Sequence, residues 1–522
     1  MRGVVIGVLV LSTGAAALSA GSIAAQSQTG LTVRPEVHHD VSRRLRDMKP
    51  VPPPVGTREA EPVRPIPIHL PPPGQRGDGA LQTEAPGKLN TTDLLNFAGV
   101  GTGDYGFQPP GAPSDTNGAA GATQYVQWAN DSFIVFDKAT GAKVLGPVTG
   151  KTLWQGFGGA CETNNDGDII AQYDKIAQRW VMAQFSIKQT PYLECVAVSQ
   201  TSDATGAWNR YAFAYGDTNY NDYPKIGVWP DAYYATYNMF HDKLFRGAQL
   251  CALDRLSMVA GATATQQCYQ LSSTYGGVLP ADLDGATPPP AGAPNYLLNF
   301  GANKLNLWKF HVDFANPANT TLTGPAAIAV ASFSPACNAG TCLPQKGTAQ
   351  QLDSIADRLM YRLAYRNFGD HETLVVNHSI SSKGRSGVRW YELRNPGGTP
   401  VVYQQGTYVP GTTLWYWMGS AAMDKMGDLA LGFSTTSASD FPSIGYAGRL
   451  PGDKPGTLRK HALTFKGKGS QINGLSRWGD YSALSLDPVD DCTFYFTTEY
   501  LKANGAFNWS TRINSFRFPG CQ

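Results

Sequence analysis

Short runs of alternating apolar and polar residues, separated by turn residues, fill most of the chain beyond residue 117. The stretch GDIIAQYDKIAQRWVMAQF, which begins at Gly167, has an apolar strand, a turn built on Asp, and a second strand rich in aromatic and branched residues. Alternation with a period of two, bounded by turn residues, is typical of half-buried β-strands. Helical periodicity is nearly absent. The pattern therefore predicts an all-β protein.

This strand–turn–strand pattern is repeated along the chain, and WGDYSALSLDPVDDCTFYFTTEY, from Trp478, is a late copy. The units are spaced ~60 residues apart on average, against ~40–50 for common propeller repeats, and long loops account for the excess. Their predicted starts are Asn117, Asp168, Asp222, Asn299, Asp357, Asp428 and Asp480. About seven units of four strands predict a β-propeller, because a sandwich needs only ~100 residues. A parallel β-helix, the alternative, requires shorter and more regular repeats.

A propeller must close its ring, and the last strand indicates how. The segment STRINSFRFPG, at residues 510–520, has no partner after it in the chain. We expect it to pair with the first unit, near residues 125–137, because this pairing removes both free edges.

The first 97 residues lack the repeated pattern. Arg2, the apolar run of residues 4–10 and the small residues up to Ala25 predict a secretory signal peptide, residues 1–25, and thus a secreted protein. No segment reaches the ~20 apolar residues that a membrane-spanning helix needs. Residues 26–97 are rich in proline, so we expect an extended linker or pro-region, and its part up to about Gly87 should be dispensable for folding. The β-propeller domain is then residues 98–522.

The charge of the chain argues against nucleic acid as a partner, and its cysteine content indicates an oxidising compartment. The chain has 42 Lys and Arg against 40 Asp and Glu, a formal charge of +2, without the basic clusters that nucleic acid requires. Its eight cysteines show no CxxC spacing, which disfavours zinc, and an even number in an exported chain favours disulfides. We predict sequential pairs, partly by elimination: Cys161–Cys195, Cys251–Cys268, Cys337–Cys342 and Cys492–Cys521.

On these repeated units, the chain from about Gly99 to Gln522 resembles secreted bacterial β-propeller proteins of the broad sialidase-like, or BNR-repeat, class. The resemblance implies a propeller fold. The chain lacks a clear SxDxGxTW box and an arginine triad that can be aligned with the class. Sialidase activity is therefore not implied.

In a propeller, equivalent starts of the inner strands converge on one central funnel. Here these starts supply carboxylates, cations and phenols of the kind that could bind and process a sugar acid: Asp168, Tyr223, Lys225, Asp357, Arg358, Asp428, Arg477, Asp480 and Tyr481. The pair Gly-Asp recurs at residues 167–168, 427–428 and 479–480, and this recurrence favours a structural role for its aspartates.

Residues that interrupt the repeat are better candidates for catalysis. His371 beside Glu372 suits general acid–base chemistry, and Tyr481 near Arg477 suits an activated nucleophile or acid. A surface histidine and a buried anchoring phenol are the structural alternatives. We assign catalysis to His371, Tyr481, Arg477, Glu372 and Arg358, and substrate binding to Lys225, Tyr223 and Trp229.

The loop ETNNDGD, from Glu162 to Asp168, has oxygen ligands at near-alternate positions. It suggests a Ca²⁺ site with Asp166 and Asp168 as ligands, although the full twelve-residue calcium loop is absent and an Asn/Asp-rich turn is the alternative. No cofactor is required. Two functions remain open. One is an exported glycoside hydrolase or polysaccharide lyase with its site in the funnel; the other is a non-catalytic extracellular propeller that binds glycan or protein at the cell surface.

Overall fold

The computed structural model describes residues 1, 3, 30–53, 58–68, 71–72, 74–84 and 86–522. Most of the predicted signal peptide lies outside these residues. The described chain is nearly all β, which confirms the predicted class. Its helical segments are short: α1 (Lys151–Trp154), α2 (Gly159–Thr163), α3 (Arg255–Ala260) and 3-10 turns at Leu45–Asp47, Asp104–Gly106, Pro317–Asn319 and Ala336–Ala339. No described helix has the length and apolar character needed to cross a membrane.

Strands β1 to β17 include five early strands and three four-stranded antiparallel units. The early strands are β1 (Thr32–Pro35), β2 (His38–Val41), β3 (Glu59–Ala60), β4 (Thr92–Gly101) and β5 (Gly111–Ala112). Unit 1 contains β6 (Asn117–Ala120), β7 (Gln124–Ala129), β8 (Ser132–Asp137) and β9 (Lys143–Thr149). Unit 2 contains β10 (Ile170–Asp174), β11 (Arg179–Ser186), β12 (Tyr192–Ser199) and β13 (Trp208–Gly216). Unit 3 contains β14 (Tyr220–Val228), β15 (Tyr233–His241), β16 (Leu244–Leu253) and β17 (Thr265–Gln270).

Strands β18 to β34 form four further units and one hairpin. Unit 4 contains β18 (Leu279–Asp284), β19 (Asn295–Gly301), β20 (Lys304–His311) and β21 (Thr321–Ala329), and the hairpin β22 (Thr341–Gln345) and β23 (Thr348–Asp353) follows it. Unit 5 contains β24 (Met360–Asn367), β25 (Glu372–Ser382), β26 (Arg385–Arg394) and β27 (Val401–Tyr408). Unit 6 contains β28 (Trp415–Met423), β29 (Leu429–Thr436), β30 (Ser443–Arg449) and β31 (Ala462–Phe465). Unit 7 contains β32 (Ala483–Leu486), β33 (Thr493–Leu501), β34 (Trp509–Arg517) and β4.

The first strands of the units form a ring. Each of them contacts the first strand of the next unit, and β32 of unit 7 contacts β6 of unit 1. Between units 4 and 5 this contact is a parallel pairing that places Ala281 opposite Leu363. The architecture is therefore propeller-like, with the first strands around a central channel and apolar cores between neighbouring units.

The ring is closed by a strand from before the repeats. β4 pairs with β34, with Phe97 opposite Ile513. The predicted partner near residues 125–137 was wrong, because β7 and β8 pair with each other inside unit 1. Since β4 begins at Thr92, the closing strand also crosses the predicted domain boundary at residue 98.

Two of the predicted unit starts were wrong. Asn299 lies within β19, the second strand of unit 4, and Asp428 immediately precedes β29, the second strand of unit 6. The true first strands begin at Leu279 and Trp415. The first lies in a proline- and alanine-rich stretch, and the second has an aromatic start without the Asp-based turn, so neither fits the repeat pattern.

The proline-rich segment lies on the units instead of forming an extended linker. β1 pairs with β17 and β2 pairs with β13, so each adds a fifth strand to a unit. Its isolated apolar residues are used as anchors, because Leu45 and Ile66 are both buried. Because these apolar residues are not spaced periodically, the sequence pattern did not predict that they are buried.

All eight cysteines are paired, in the predicted order. The bonds are Cys161–Cys195, Cys251–Cys268, Cys337–Cys342 and Cys492–Cys521. Four disulfides are typical of proteins that fold in an oxidising compartment.

Candidate functional site

Residues from the starts of the first strands meet at one end of the channel, called here the channel mouth. Sharp turns place them: Asp115, Asp168 and Tyr223 have φ of 40°, 48° and 57°, in the left-handed region that side chains rarely adopt. The mouth contains seven carboxyl groups, four cations and two phenols: Glu61, Asp115, Asp168, Asp222, Asp353, Asp357, Asp480, Arg64, Lys225, Arg358, Arg477, Tyr223 and Tyr481.

The two buried mouth arginines predicted as catalytic are held in ion pairs. Arg477 Nη1 lies 3.0 Å from Asp353 Oδ2, and Arg477 Nη2 lies 2.5 Å from Asp480 Oδ1. Arg358 Nε donates to Asp357 Oδ1 at 2.7 Å. Charges paired in this way mainly stabilise each other.

Lys225 lies between two phenol rings. Its Nζ is 3.5 Å from the ring centre of Tyr223 and 4.1 Å from that of Tyr481, and it donates to Pro224 O. Burial lowers the pKa of Lys225 to about 8. The Tyr481 hydroxyl donates to Ile169 O at 3.0 Å, and burial raises its pKa well above the ordinary value. This geometry suits an anchoring phenol and not an activated nucleophile.

The proline-rich segment covers the mouth. Glu61 O accepts a hydrogen bond from Arg477 Nε at 2.8 Å, and Arg64 Nη1 pairs with Asp222 Oδ1 at 2.8 Å. Ile66 N donates to Asp357 Oδ2 at 3.4 Å. Among the described residues, the space left beneath this segment is about 20 Å³, enough for one water or one small ion. The covered mouth therefore leaves no room for a sugar ring.

Three mouth carboxyl groups form a compact group that could hold a metal ion. Ligand atoms of Glu61, Asp115 and Asp168 lie within 4.8 Å of one another. Burial raises the pKa of all three carboxyls, and their mutual repulsion raises the pKa of Glu61 further. Either protons or a cation must offset so many buried negative charges.

Asp166 does not belong to this group. Asp168 Oδ2 accepts from Tyr223 N at 2.8 Å in the mouth, whereas Asp166 Oδ2 accepts from Ile187 N at 2.8 Å in unit 2. The expected pairing of Asp166 with Asp168 as ligands in one loop is therefore not formed, because the strained turn at Asp168 separates the two side chains.

His371 and Glu372 are not near the mouth. β24 runs from the mouth, after Arg358, to Asn367 at the opposite face, and eight extended residues span ~25 Å. His371 Nδ1 pairs with the exposed Asp370, and Glu372 Oε1 accepts from Tyr365 at 2.6 Å. The structure therefore does not bring them together with Tyr481, Arg477 and Arg358.

Two other predicted residues, Asp428 of the funnel and the substrate-binding candidate Trp229, also lie away from the mouth. Asp428 is at the opposite face, where its backbone amide donates to Asp424 Oδ1 at 3.0 Å. Trp229 is buried; its Nε1 donates to Ala293 O at 3.1 Å and its ring packs on Tyr365 at 4.6 Å between centres. Its role is packing.

Sequence reasoning missed a larger cavity beside the mouth, called here the side cavity. Among the described residues it encloses about 710 Å³. Its walls come from residues 59–62 of the proline-rich segment, the loop 163–166, the strand end 185–188, and Asp131. No local motif could reveal it, since one wall belongs to a segment without any periodic pattern.

Two neighbouring carboxyl groups in the side cavity have opposite environments. Asp131 occupies the turn between β7 and β8, and burial raises its pKa to about 7, with a further rise from the nearby Asp166. Asp166 pairs with Lys188 Nζ at 3.1 Å and accepts from Lys188 N at 3.1 Å. One carboxyl thus holds a proton near neutral pH beside another that is ion-paired.

No protein-family model matches the chain, and no curated protein matches it. Among solved structures, it is similar to the N-terminal domain of Nup159 (9% identity, TM-score 0.35, 85% of this chain and 99% of that chain). It is also similar to a PL25 ulvan lyase bound to -[GlcA(1-4)Rha3S]- (11% identity, TM-score 0.36, 80% of this chain and 97% of that chain). A third similar structure is that of an exo-β-1,3-galactanase from Clostridium thermocellum (10% identity, TM-score 0.29, 67% of this chain and 81% of that chain). Likenesses at this level carry no functional argument, and the sialidase-like resemblance stays a prediction.

Proposed function

We propose that the protein is a secreted glycoside hydrolase, built on a seven-bladed β-propeller, that cleaves its substrate in the side cavity. The observation that carries the proposal is the pair formed by Asp131, with a pKa raised to about 7, and the ion-paired Asp166. Glycosidic cleavage needs these two states: a carboxylic acid to protonate the leaving oxygen and a carboxylate to assist the attacking water or to attack directly.

The volume and polar lining of the side cavity suit a glycan. Its volume of about 710 Å³ lies within the roughly 300–1,000 Å³ usual for ligand sites. Asn164 and Asn165 line it together with three cations and four carboxyl groups, so amides and charges of both signs face the space. The amides and the charged groups suit the hydroxyl groups of a sugar, which both donate and accept hydrogen bonds.

In the proposed reaction, Asp131 donates its proton to the glycosidic oxygen as the bond to the anomeric carbon breaks. Asp166 removes a proton from the water that attacks the same carbon, in an inverting enzyme, or attacks the carbon itself in a retaining one. Lys188 Nζ forms an ion pair with Asp166 and orients its carboxyl group. Water is consumed, and one new reducing end forms for each bond cleaved.

The test is cleavage of a panel of neutral and acidic polysaccharides by the mature protein, measured as new reducing ends. Asp131→Asn and Asp166→Asn should each lower the rate ~100-fold or more, as expected when an acid–base group is lost. The matched control is Asp137→Asn, at the other end of β8, whose carboxylate binds Thr140 in a turn. Parental cleavage by both cavity variants would overturn the proposal.

Binding of glycan without cleavage is the second candidate function, because the mouth charges are paired with one another and covered. This function would be supported if the parent protein bound one polysaccharide of the panel and released no new reducing ends from any of them.

The cation site expected at Asp166 and Asp168 is proposed instead at Glu61, Asp115 and Asp168, since the ligand atoms of these three residues lie within 4.8 Å of one another. A cation that binds only the folded state raises its stability. Ca²⁺ added at pH 8 should therefore raise the melting temperature of the parent protein, and Asp115→Asn should abolish that rise. An equal rise in both proteins would place the ion elsewhere.

A further inference from the structure

Arg449, at the end of β30, is a buried arginine without a carboxylate partner. It is 4% exposed, and its Nη2 donates to the backbone oxygens of Asp453 at 2.7 Å and Pro451 at 3.4 Å. Its Nε and Nη1 have no hydrogen-bond acceptor among the described residues. Burial lowers the pKa of Arg449, so its charge is only partly compensated.

The other buried arginines show what Arg449 lacks. Seven of them, within the part of the chain that the structure describes, form an ion pair with an aspartate: Arg210, Arg255, Arg358, Arg362, Arg366, Arg389 and Arg477. Arg385 has no ion pair, but it donates to Leu414 O and Gly411 O through separate nitrogens. A buried charge without a counter-ion is unfavourable, so Arg449 is suited to a ligand that supplies the missing anion.

Arg449 lines a pocket of about 140 Å³ between units 5 and 6, at the face opposite the channel mouth. Arg394 and Glu392 line the same pocket, and Glu392 Oε1 accepts from Arg394 Nε at 2.7 Å. Glu392 Oε2 is occupied by Gln404 at 2.5 Å. Both oxygens of Glu392 are thus bonded to other side chains, and Arg449 has no carboxylate in direct contact.

Flat side chains border this pocket. The ring of Tyr403 packs against the Arg394 guanidinium at 3.4 Å, and Tyr403 is 50% exposed. The His371 ring stacks on Phe368, with 4.9 Å between centres and 16° between planes. Such surfaces suit the apolar face of a sugar ring, and the volume suits a single ring.

We propose that this pocket binds one uronic acid residue, with its carboxylate on Arg449 and its ring between His371 and Tyr403. A guanidinium donates charge-assisted hydrogen bonds to a carboxylate, and Nε and Nη1 of Arg449 are the nitrogens left without an acceptor. The site lies at the other face from the side cavity, so it does not depend on the proposed hydrolysis.

The test is titration of the mature protein with glucuronate, followed by calorimetry. Saturable binding is expected, with at least a tenfold weaker Kd for Arg449→Lys, which keeps the charge but loses the two free guanidinium nitrogens. Arg385→Met is the matched control, being a buried arginine outside the pocket. Tyr403→Ala should also weaken binding. Because Tyr403 is half-exposed, this variant should fold, and it tests the proposed site if Arg449→Lys does not fold.

Three comparison ligands distinguish a site for sugar acids from a site that binds any anion. Glucose, which lacks the carboxylate, should not bind, and inorganic phosphate and acetate should bind at least tenfold more weakly than glucuronate. No saturable binding of glucuronate, binding of phosphate equal to that of glucuronate, or unchanged binding by Tyr403→Ala would each overturn the proposal.

Discussion

At the residue scale, hydrogen-bond partners separate packing groups from reactive ones. Tyr481 was a candidate nucleophile because it follows an arginine in sequence, but its hydroxyl is bound to Ile169 O inside the channel wall. Asp131 had no motif around it, yet its turn places a carboxyl in a cavity where burial raises its pKa to about 7. Residue type and spacing predicted which groups cluster at the mouth, but burial and partners, which come from distant segments, determine their chemistry.

Tyr481→Phe tests this assignment. The change removes one hydrogen bond to Ile169 O, so the free energy of unfolding should fall by about 0.5–1.5 kcal/mol while glycan cleavage stays at the parental rate. Urea denaturation and the reducing-end assay on one preparation measure both. Loss of cleavage with unchanged stability would restore Tyr481 as a catalytic residue.

At the element scale, the sequence predicted units that start with an Asp-based turn and alternate regularly. Unit 2 and unit 7 follow that pattern, and their first strands begin close to Asp168 and Asp480. The first strands β18 and β28 were missed because they are buried stretches without such turns. The closing strand β4 could not be predicted, since its pairing with β34 joins segments more than 400 residues apart, as in the pair of Arg512 and Asn96.

The docking of the proline-rich segment can be tested with two of its aspartates. Asp78 pairs with Arg389 Nη2 at 2.5 Å, and Arg389 is fully buried, so Asp78→Ala should cost about 3–5 kcal/mol of unfolding free energy. Asp47 pairs with Arg44 at the surface, so Asp47→Ala should cost no more than about 1 kcal/mol. Thermal unfolding of both variants compares them. Equal melting temperatures would mean that the segment is a free linker.

At the scale of the whole molecule, buried carboxyl groups should make the fold weaker as the pH rises from 6.5 to 8. Burial raises the pKa of Asp131 and Asp222 to about 7 and that of Asp424 and Glu499 to about 8. In the unfolded chain these groups are already ionised, so the folded state binds more protons in this window and its stability falls with pH.

The opposing groups act outside this window. Burial lowers the pKa of His378 well below its ordinary value, so its effect lies below pH 6.5, and Lys225, with a pKa of about 8, acts mainly above pH 8. The unfolding free energy should therefore be lower at pH 8 than at pH 6.5 by at least ~1 kcal/mol. Glu499→Gln should reduce the difference. Urea denaturation at the two pH values is the measurement, and greater stability at pH 8 would contradict this account.

The pH dependence of kcat/KM for a cleaved glycan tests the central claim, that Asp131 is the general acid of a hydrolase. Asp131 must be protonated to act, and its pKa is about 7, so kcat/KM should fall as the pH rises through 7. Asp137→Asn should keep the same profile, and Asp131→Asn should lose both the activity and the falling limb. A parental profile that is flat between pH 6 and 8, or parental activity in Asp131→Asn, would contradict the claim.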